Sequence, residues 1–321
     1  MIGAKQGILH RLAPGAAMGI IRLRSMGDTV LTTPALALLK RARPDLRVLV
    51  VVERPWDRLL EGNPAVDEVV RLPNRWAAIA ALRRARVELC LNLHGGPTSA
   101  WMTLLSGARW RAGFGHFAPS AMYNVPIPRA QEILGLASDA PVHTAEHLAS
   151  AMMFLGAPRG EIPAARLFAG PSPHQGGYAV VHVAAAAGNK RWPAERFAEL
   201  GRWLRRGPGL EAVMLAGPGQ GTVLASLGEF TCLDHLSLGE MMALLQGAQL
   251  FVGNDSGPAH VAAAFGVPCV VIFGPSNAAV WHPWRTRHQV VQAPTGSILD
   301  IDVEMVRRAV EVLAPRPALQ P

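Results

Sequence analysis

Short apolar runs alternate with helical stretches along nearly the whole chain. Met18–Arg24, Arg47–Val52, Val66–Arg71 and Val87–Asn92 are compact runs dominated by Val, Leu and Ile. Arg47–Val52 in particular is too continuously hydrophobic for an edge, and reads as a strand covered on both faces. Between these runs, Thr29–Arg43, Pro55–Glu61 and Trp76–Ala85 are predicted helices. The alternation is the mark of βαβ units and a parallel sheet. It breaks at Ala157–Gly177, a stretch rich in Pro and Gly with little periodicity, which reads as a linker. The pattern then restarts. Strands are predicted at Tyr178–Val183, Leu210–Leu215, Leu250–Gly253 and Cys269–Phe273, and helices at Ala194–Arg206, Leu238–Gln246, from Pro258 onward, and at Asp302–Ala314.

The predicted fold class is therefore α/β, with two Rossmann-like parallel-sheet domains facing an interdomain cleft. The boundaries are 1–165 and 166–321, and the last helix is free to pack back on the first domain. Ligands of such sheets bind beyond the carboxyl ends of the strands, so the loops after strands are the places to look for chemistry.

Composition supports a large core: half of the 321 residues are hydrophobic and 17% are charged. The net charge of +8 admits three kinds of partner: nucleic acid, an anionic membrane surface or a phosphorylated substrate. Arg83, Arg84, Arg86, Arg202, Arg205 and Arg206 are spread over helices rather than gathered in a run with interleaved aromatics, and there are two tyrosines. A base-stacking nucleic-acid surface is not expected; weak association with an anionic membrane stays open. Cys90, Cys232 and Cys269 form no CxxC pair and read as core residues of a reducing compartment. No apolar run reaches the roughly 18 residues of a membrane span. Lys5 and Arg11 followed by Leu12–Ile21 echo a signal peptide, but Arg22 interrupts the run, which reads better as a tail leading into a strand. The expected location is cytoplasmic, with peripheral contact at the inner membrane face as a variant.

Three strand-end motifs carry the candidate chemistry. Gly253–His260 (GNDSGPAH) follows a strand and opens a helix, so the backbone N–H groups of Ser256 and Gly257 offer an anion site. Asp255 repels an anion and is assigned to sugar hydroxyls or backbone donors. Plain helix capping by Asp and Ser is the competing reading, and His260 is as readily a packed residue. Gly188–Pro193 (GNKRWP) places Lys190 as a mobile cation after a strand; a solvated turn is the alternative. Ser25–Thr29 (SMGDT) puts Asp28 at a helix N-terminus, either as a cap or as a general base. Weaker signals are Gly217–Gly221, where Gly219 and Gln220 approach a ribose or merely turn the chain, and Asn92–Gly96, which includes His94. There is no metal-ligand constellation, GxSxG elbow or Walker loop.

In this order, IIRLRSMGDTVLTTPAL, KRWPAERFAEL and FVGNDSGPAHVAAAFGVPCVVIFGP resemble glycosyltransferase family 9, the bacterial heptosyltransferases. The resemblance runs from about residue 19 to residue 312. It implies a GT-B fold and inverting, metal-independent transfer from an ADP-sugar co-substrate, usually ADP-heptose, to a lipopolysaccharide core. By motif, Asp28 resembles the catalytic base and Lys190 the diphosphate-binding lysine. Asp255 resembles the heptose contact, with Ser256 and Gly257 as phosphate donors and His260 beside them. Met26, Gly27 and His94 fall on the acceptor side. The chain departs from the family pattern at Ala184–Ala187, which has no hydroxyl and leaves backbone N–H groups at Ala185 and Ala186, and at Gln220, which stands where Glu often meets the ribose. Acceptors other than lipopolysaccharide, another glycan or a small molecule such as an aminoglycoside, stay open. So do a sugar-nucleotide epimerase and a non-catalytic nucleotide- or lipid-binding protein. A dehydrogenase is disfavoured by the lack of GxGxxG after either first strand.

Overall fold

The computed structural model describes residues 7–72 and 74–313. Lys5 in the expected N-terminal tail and Ala314 at the end of the last predicted helix lie outside the described residues. The chain forms two compact units, 1–168 and 169–321.

In the first unit, β1 (Ala17–Ile21) leads to α1 (Met26–Ala42), β2 (Arg47–Val52), β3 (Glu68–Arg71), α2 (Arg75–Arg84), β4 (Leu89–Asn92), α3 (Pro97–Leu105), β5 (Trp110–Phe114), β6 (Val125–Ile127), α4 (Ala130–Leu134) and α5 (Thr144–Leu155). The six strands are all parallel, in the order β3-β2-β1-β4-β5-β6. Every residue of β1 is buried, as expected of a central strand with helices on both faces.

α1 opens with a capping box between Ser25 and Asp28. It continues through Pro34, which has no N–H for the carbonyl of Val30. The Thr33 hydroxyl takes that place, donating to the Val30 carbonyl at 2.8 Å.

In the second unit, β7 (Tyr178–His182) is followed by α6 (Ala194–Arg206), β8 (Glu211–Leu215), β9 (Thr231–Leu233), α7 (Leu238–Gly247), β10 (Leu250–Asn254), α8 (Gly257–Ala264), β11 (Cys269–Phe273), α9 (Ala278–Trp281), β12 (His288–Gln292) and α10 (Val303–Leu313). The order β12-β11-β10-β7-β8-β9 is again wholly parallel. Counted from its own first strand, each sheet runs 3-2-1-4-5-6, the doubly wound order. The strand order reverses between β1 and β4 in one unit and between β7 and β10 in the other. The fold-class expectation of two Rossmann-like parallel-sheet domains holds.

Several elements differ from expectation. Pro55–Glu61 is a 3₁₀ turn at Trp56–Leu60 rather than an α-helix: it is too short to sustain i→i−4 bonding before Gly62, at φ +72°, turns the chain. The first strand ends at Ile21, although the Arg22 N–H still donates to the Val51 carbonyl and the Leu23 carbonyl accepts from the Glu53 N–H. α3, α4, α5, β5, β6, β9, α9 and β12 carried no expectation. β12, with one buried residue in five, lacks the apolar run that marks the central strands.

Candidate functional site

The end of β1 and the loop after β4 meet at the reversal point of the first sheet. Arg22, one residue past β1, is buried, and its guanidinium pairs with the Asp28 carboxylate and donates to the Leu93 carbonyl. Asp28 occupies the first turn of α1, where the backbone dipole favours a carboxylate. Its Oδ2 accepts from the Ser25 backbone N–H at 3.2 Å and the Ser25 hydroxyl at 3.0 Å. The side chain of Asp28 is 23% exposed, so the carboxylate is clamped on its protein side and still open to a ligand. Met26 and Gly27 form the turn before it, the first half-buried and the second buried. Burial, followed by the nearby Arg22 and Arg24, holds the His94 imidazole below its ordinary pKa. Burial first, and then the Asp28 partnership in the opposite sense, sets the Arg22 guanidinium below its usual range.

Three conclusions follow for the first unit. Met26, Gly27 and Asp28 from one motif and His94 from another come to one strand-end position. Arg22, read only as an interruption of an apolar run, is the buried anchor of Asp28. Asn92 holds the floor: buried at the end of β4, it accepts the His94 and Gly95 N–H groups at 3.0 and 3.1 Å and donates to Ser99 and Tyr123 hydroxyls.

The second unit repeats this placement. Lys190 ends a 3₁₀ turn, Gly188–Lys190, in the loop after β7. Its ammonium lies 3.0 Å from the Asp255 carboxylate, just past β10. Asp255 thus pairs with Lys190 in this structure. Ser256 is the N-cap of α8, with Gly257 and Pro258 in the first turn. Beneath this surface, Asn254 is fully buried. It accepts the Trp192 N–H at 3.0 Å and donates to the Val183 and Ala184 carbonyls at 3.2 Å, tying the two strand-end loops together. The Ser256 hydroxyl donates to the Asn254 carbonyl at 2.9 Å and contacts His182 Nδ1 at 3.1 Å. A hydroxyl has one proton, so Nδ1 carries its own hydrogen and donates to Ser256. Burial pushes the His182 imidazole down to about 4.

The remaining predicted positions fall around this pair. Ala185 is buried, its carbonyl accepting from Arg191 at 3.2 Å, while Ala186 is exposed. Gly219 turns at φ +79°. The Gln220 carboxamide oxygen accepts the Gly217 N–H at 3.2 Å and so closes its own loop. His260 is buried one turn into α8, its ring 6.2 Å from that of Trp281. Arg22 and His182 were not singled out in the sequence, and Asn92 and Asn254 stood inside motifs without a role of their own. A lone polar residue at the end of an apolar strand is the signal that marks three of them.

Among known proteins, the family described as "Glycosyltransferase family 9 (heptosyltransferase)" matches residues 75–304. The chain is 25% identical over 307 residues to lipopolysaccharide heptosyltransferase 3 of Escherichia coli, covering 82% of this chain and 84% of the relative. It is 27% identical to lipopolysaccharide heptosyltransferase 1 of Pseudomonas aeruginosa, covering 80% and 78%. The solved structure of the E. coli heptosyltransferase WaaC with ADP is similar in fold, with a TM-score of 0.77, 21% identity and coverage of 93% and 100%.

Proposed function

The chain belongs to glycosyltransferase family 9, and from that premise we propose that it moves a heptose from ADP-heptose, with inversion, to a hydroxyl of a lipopolysaccharide core or related glycan. The observation that carries this reading is the clamped but accessible Asp28 at the reversal point of the first sheet. In the proposed step the acceptor hydroxyl yields its proton to Asp28 as its oxygen attacks the anomeric carbon. The bond to the diphosphate breaks on the opposite face, and ADP leaves with the electron pair.

Lys190 and the N–H groups opening α8 are the proposed holders of the diphosphate. A fixed cation and preorganised N–H donors stabilise the charge growing on a leaving group, a contribution of about 3 kcal/mol per donor in other enzymes. Asp255 is then the residue left to receive sugar hydroxyls as Lys190 turns to phosphate. Holding an ADP moiety agrees with the WaaC structure, which was solved with ADP. Metal independence is part of the proposal and predicts turnover that EDTA leaves intact. Peripheral membrane association belongs to the proposal as well; no helix among the described residues is long and apolar enough to cross a bilayer.

The test is ADP release from ADP-heptose, with and without a lipopolysaccharide-core acceptor, for the wild type and for Asp28→Asn. Acceptor-dependent release that survives EDTA, falls about 10²- to 10⁴-fold in the variant and leaves ADP-heptose affinity intact is the expected result. Full turnover by Asp28→Asn rejects Asp28 as the base, and sugar-nucleotide conversion without acceptor points to an epimerase.

A further inference from the structure

The first unit neutralises much of its surface charge. Lys40 pairs with Asp67, Arg43 with Asp45, Arg47 with Glu68, Arg58 with Glu61, and Arg71 with Asp57 and Glu61. One face does not follow this rule. From Arg75 to Arg111 the chain carries Arg75, Arg83, Arg84, Arg86, Arg109 and Arg111, and a single carboxylate, Glu88. Glu88 is half-buried and accepts the Ala13 N–H. Among the described residues, none of Arg75, Arg84, Arg86 and Arg109 pairs with a carboxylate, and all four are exposed.

The same face carries the two exposed tryptophans. All eight tryptophans lie in the described residues, and only Trp76 and Trp101 stand clear of the protein, at 64% and 51% exposure. The helical period explains their direction. In α2, Ala78, Ile79 and Leu82 pack against the sheet core together with Met102 of α3. Trp76, Ala80, Arg83 and Arg84, at i, i+4, i+7 and i+8, therefore form the outward stripe. In α3, Trp101 points outward, and Leu104 is half-exposed one turn on. The two helices are neighbours: the Arg83 guanidinium donates to the Leu105 carbonyl at 2.7 Å. The sequence separates these indoles from the arginines that follow, whereas the fold sets α2 and α3 side by side on one core cluster and brings the Gly107 turn before Arg109 beside the Arg83 side chain.

We propose that the outer face of α2 and α3 docks on an anionic lipid bilayer. Unpaired arginines are drawn to the negative leaflet surface, and indoles settle at headgroup depth with the ring in the apolar layer and the N–H in the wet one. The partner is a bilayer rather than a nucleic acid. The indoles stand on the outward surface of two helices that cover a sheet, not in a groove that tracks a phosphate backbone and stacks successive bases. The inference rests on the proposed peripheral location and names the surface responsible. It does not depend on the transfer chemistry.

The experiment is co-sedimentation of the full chain, without donor or acceptor, with vesicles of equal phosphatidylglycerol and phosphatidylcholine and with phosphatidylcholine alone. Binding to the anionic vesicles is expected, with release at about 0.5 M salt, where the Debye length shrinks to a few ångströms. Arg84→Gln/Arg86→Gln/Arg109→Gln is expected to weaken binding on the order of a hundredfold, about fivefold per arginine, and the corresponding triple Lys variant to retain it. Trp76→Ser/Trp101→Ser is expected to weaken it roughly tenfold with the charge unchanged. These side chains are exposed, so unfolding midpoints should match the wild type. Wild-type binding that both substitution sets leave unchanged overturns the assignment of this face while sparing the peripheral location. No binding to either vesicle overturns both. Tighter binding to a single-stranded DNA oligonucleotide than to the anionic vesicles makes the face a nucleic-acid surface and overturns the proposal.

Discussion

At the residue scale, the centre of the proposed chemistry is a buried cation that depends on its partner. Arg22 is buried, and its pKa is pulled down by burial and supported by Asp28. Removing the carboxylate strands that charge, and breaking one side of a buried pair costs about 3 to 5 kcal/mol. Asp28→Ala is therefore expected to lower the stability of the first unit by about 3 kcal/mol in urea unfolding, whereas Asp28→Asn keeps the side-chain shape and one acceptor oxygen, enough for Ser25 or Arg22 but not both, and is the fairer probe of catalysis. Arg22→Lys keeps the charge but lacks the planar fork that spans Asp28 and the Leu93 carbonyl. Its expected signature is a lower kcat with unchanged donor affinity, because the carboxylate is displaced rather than removed. An Arg22→Lys enzyme with wild-type kcat shows that Arg22 only packs. The SMGDT motif revealed Asp28 in the sequence because capping and dipole logic single out a carboxylate at a helix start. Arg22 stayed hidden because its partners are six residues and seventy-one residues away, and nothing local announces a buried arginine.

At the scale of elements, the second site is a matter of how β7 and β10 end. Asn254 bonds the Trp192 N–H and the Val183 and Ala184 carbonyls, which shape the loop carrying Lys190. Asn254→Ala leaves those buried groups without partners, at about 1 to 3 kcal/mol. Its expected outcomes are a lower unfolding midpoint and, through a loosened Lys190 loop, weaker ADP binding by calorimetry. Unchanged ADP affinity in a destabilised variant separates support of the loop from mere packing. Gly253 sets the spacing of the same two strands. A Cβ there meets the His182 carbonyl oxygen at 2.9 Å and its Cβ at 3.0 Å, and backbone cannot swing aside. Gly253→Ala is expected to destabilise the second unit by about 1 to 3 kcal/mol, read from the same titration. A mutant as stable as the wild type shows that the strands can part at little cost.

Elements were legible where burial on both faces left an unbroken apolar run, as in β2, β7 and β11. They were not legible from Pro97 to Leu155. There β6 is three residues with a central exposed proline, and α3 mixes Thr, Ser and Trp with its apolar positions. Short edge elements take their shape from neighbours already in place, so their own pattern carries little of the information.

At the scale of the molecule, each unit hides a histidine that burial keeps neutral. His182 in the second unit and His147 in the first are both pushed down to about 4. Burial leads in each case, and for His147 the nearby His116 and Arg22 add to it. His147 stacks on Phe114 with ring centroids 4.0 Å apart, and His182 lies beneath the strand-end surface that carries Ser256. The direction of the pH effect follows from these values. An unfolded histidine binds its proton near 6.5, whereas the folded forms wait until about 4. As pH falls through that interval the unfolded state takes up protons that the native state refuses, so folding loses free energy. Stability is therefore complete above pH of about 6.5, declines toward about 4 and then levels off as far as these two groups decide it. For His182, 5% exposed, the interval corresponds to about 3 kcal/mol. Paired carboxylates such as Asp67 and Glu211, held below their ordinary values, lose their contribution only at lower pH, and the two effects separate along the axis. Urea unfolding at pH of about 7.5, 6 and 5 is expected to show the decline, with the second unit's share reduced in His182→Gln, which cannot take up a proton. A wild-type unfolding free energy that holds level from neutral pH to about 5 contradicts the neutral burial of both rings. The same acid range gives the site a second readout. Protonated His182 would donate from Nδ1 as before but carry a full charge under Ser256 and the start of α8, so ADP affinity measured across the decline reports on the second unit alone.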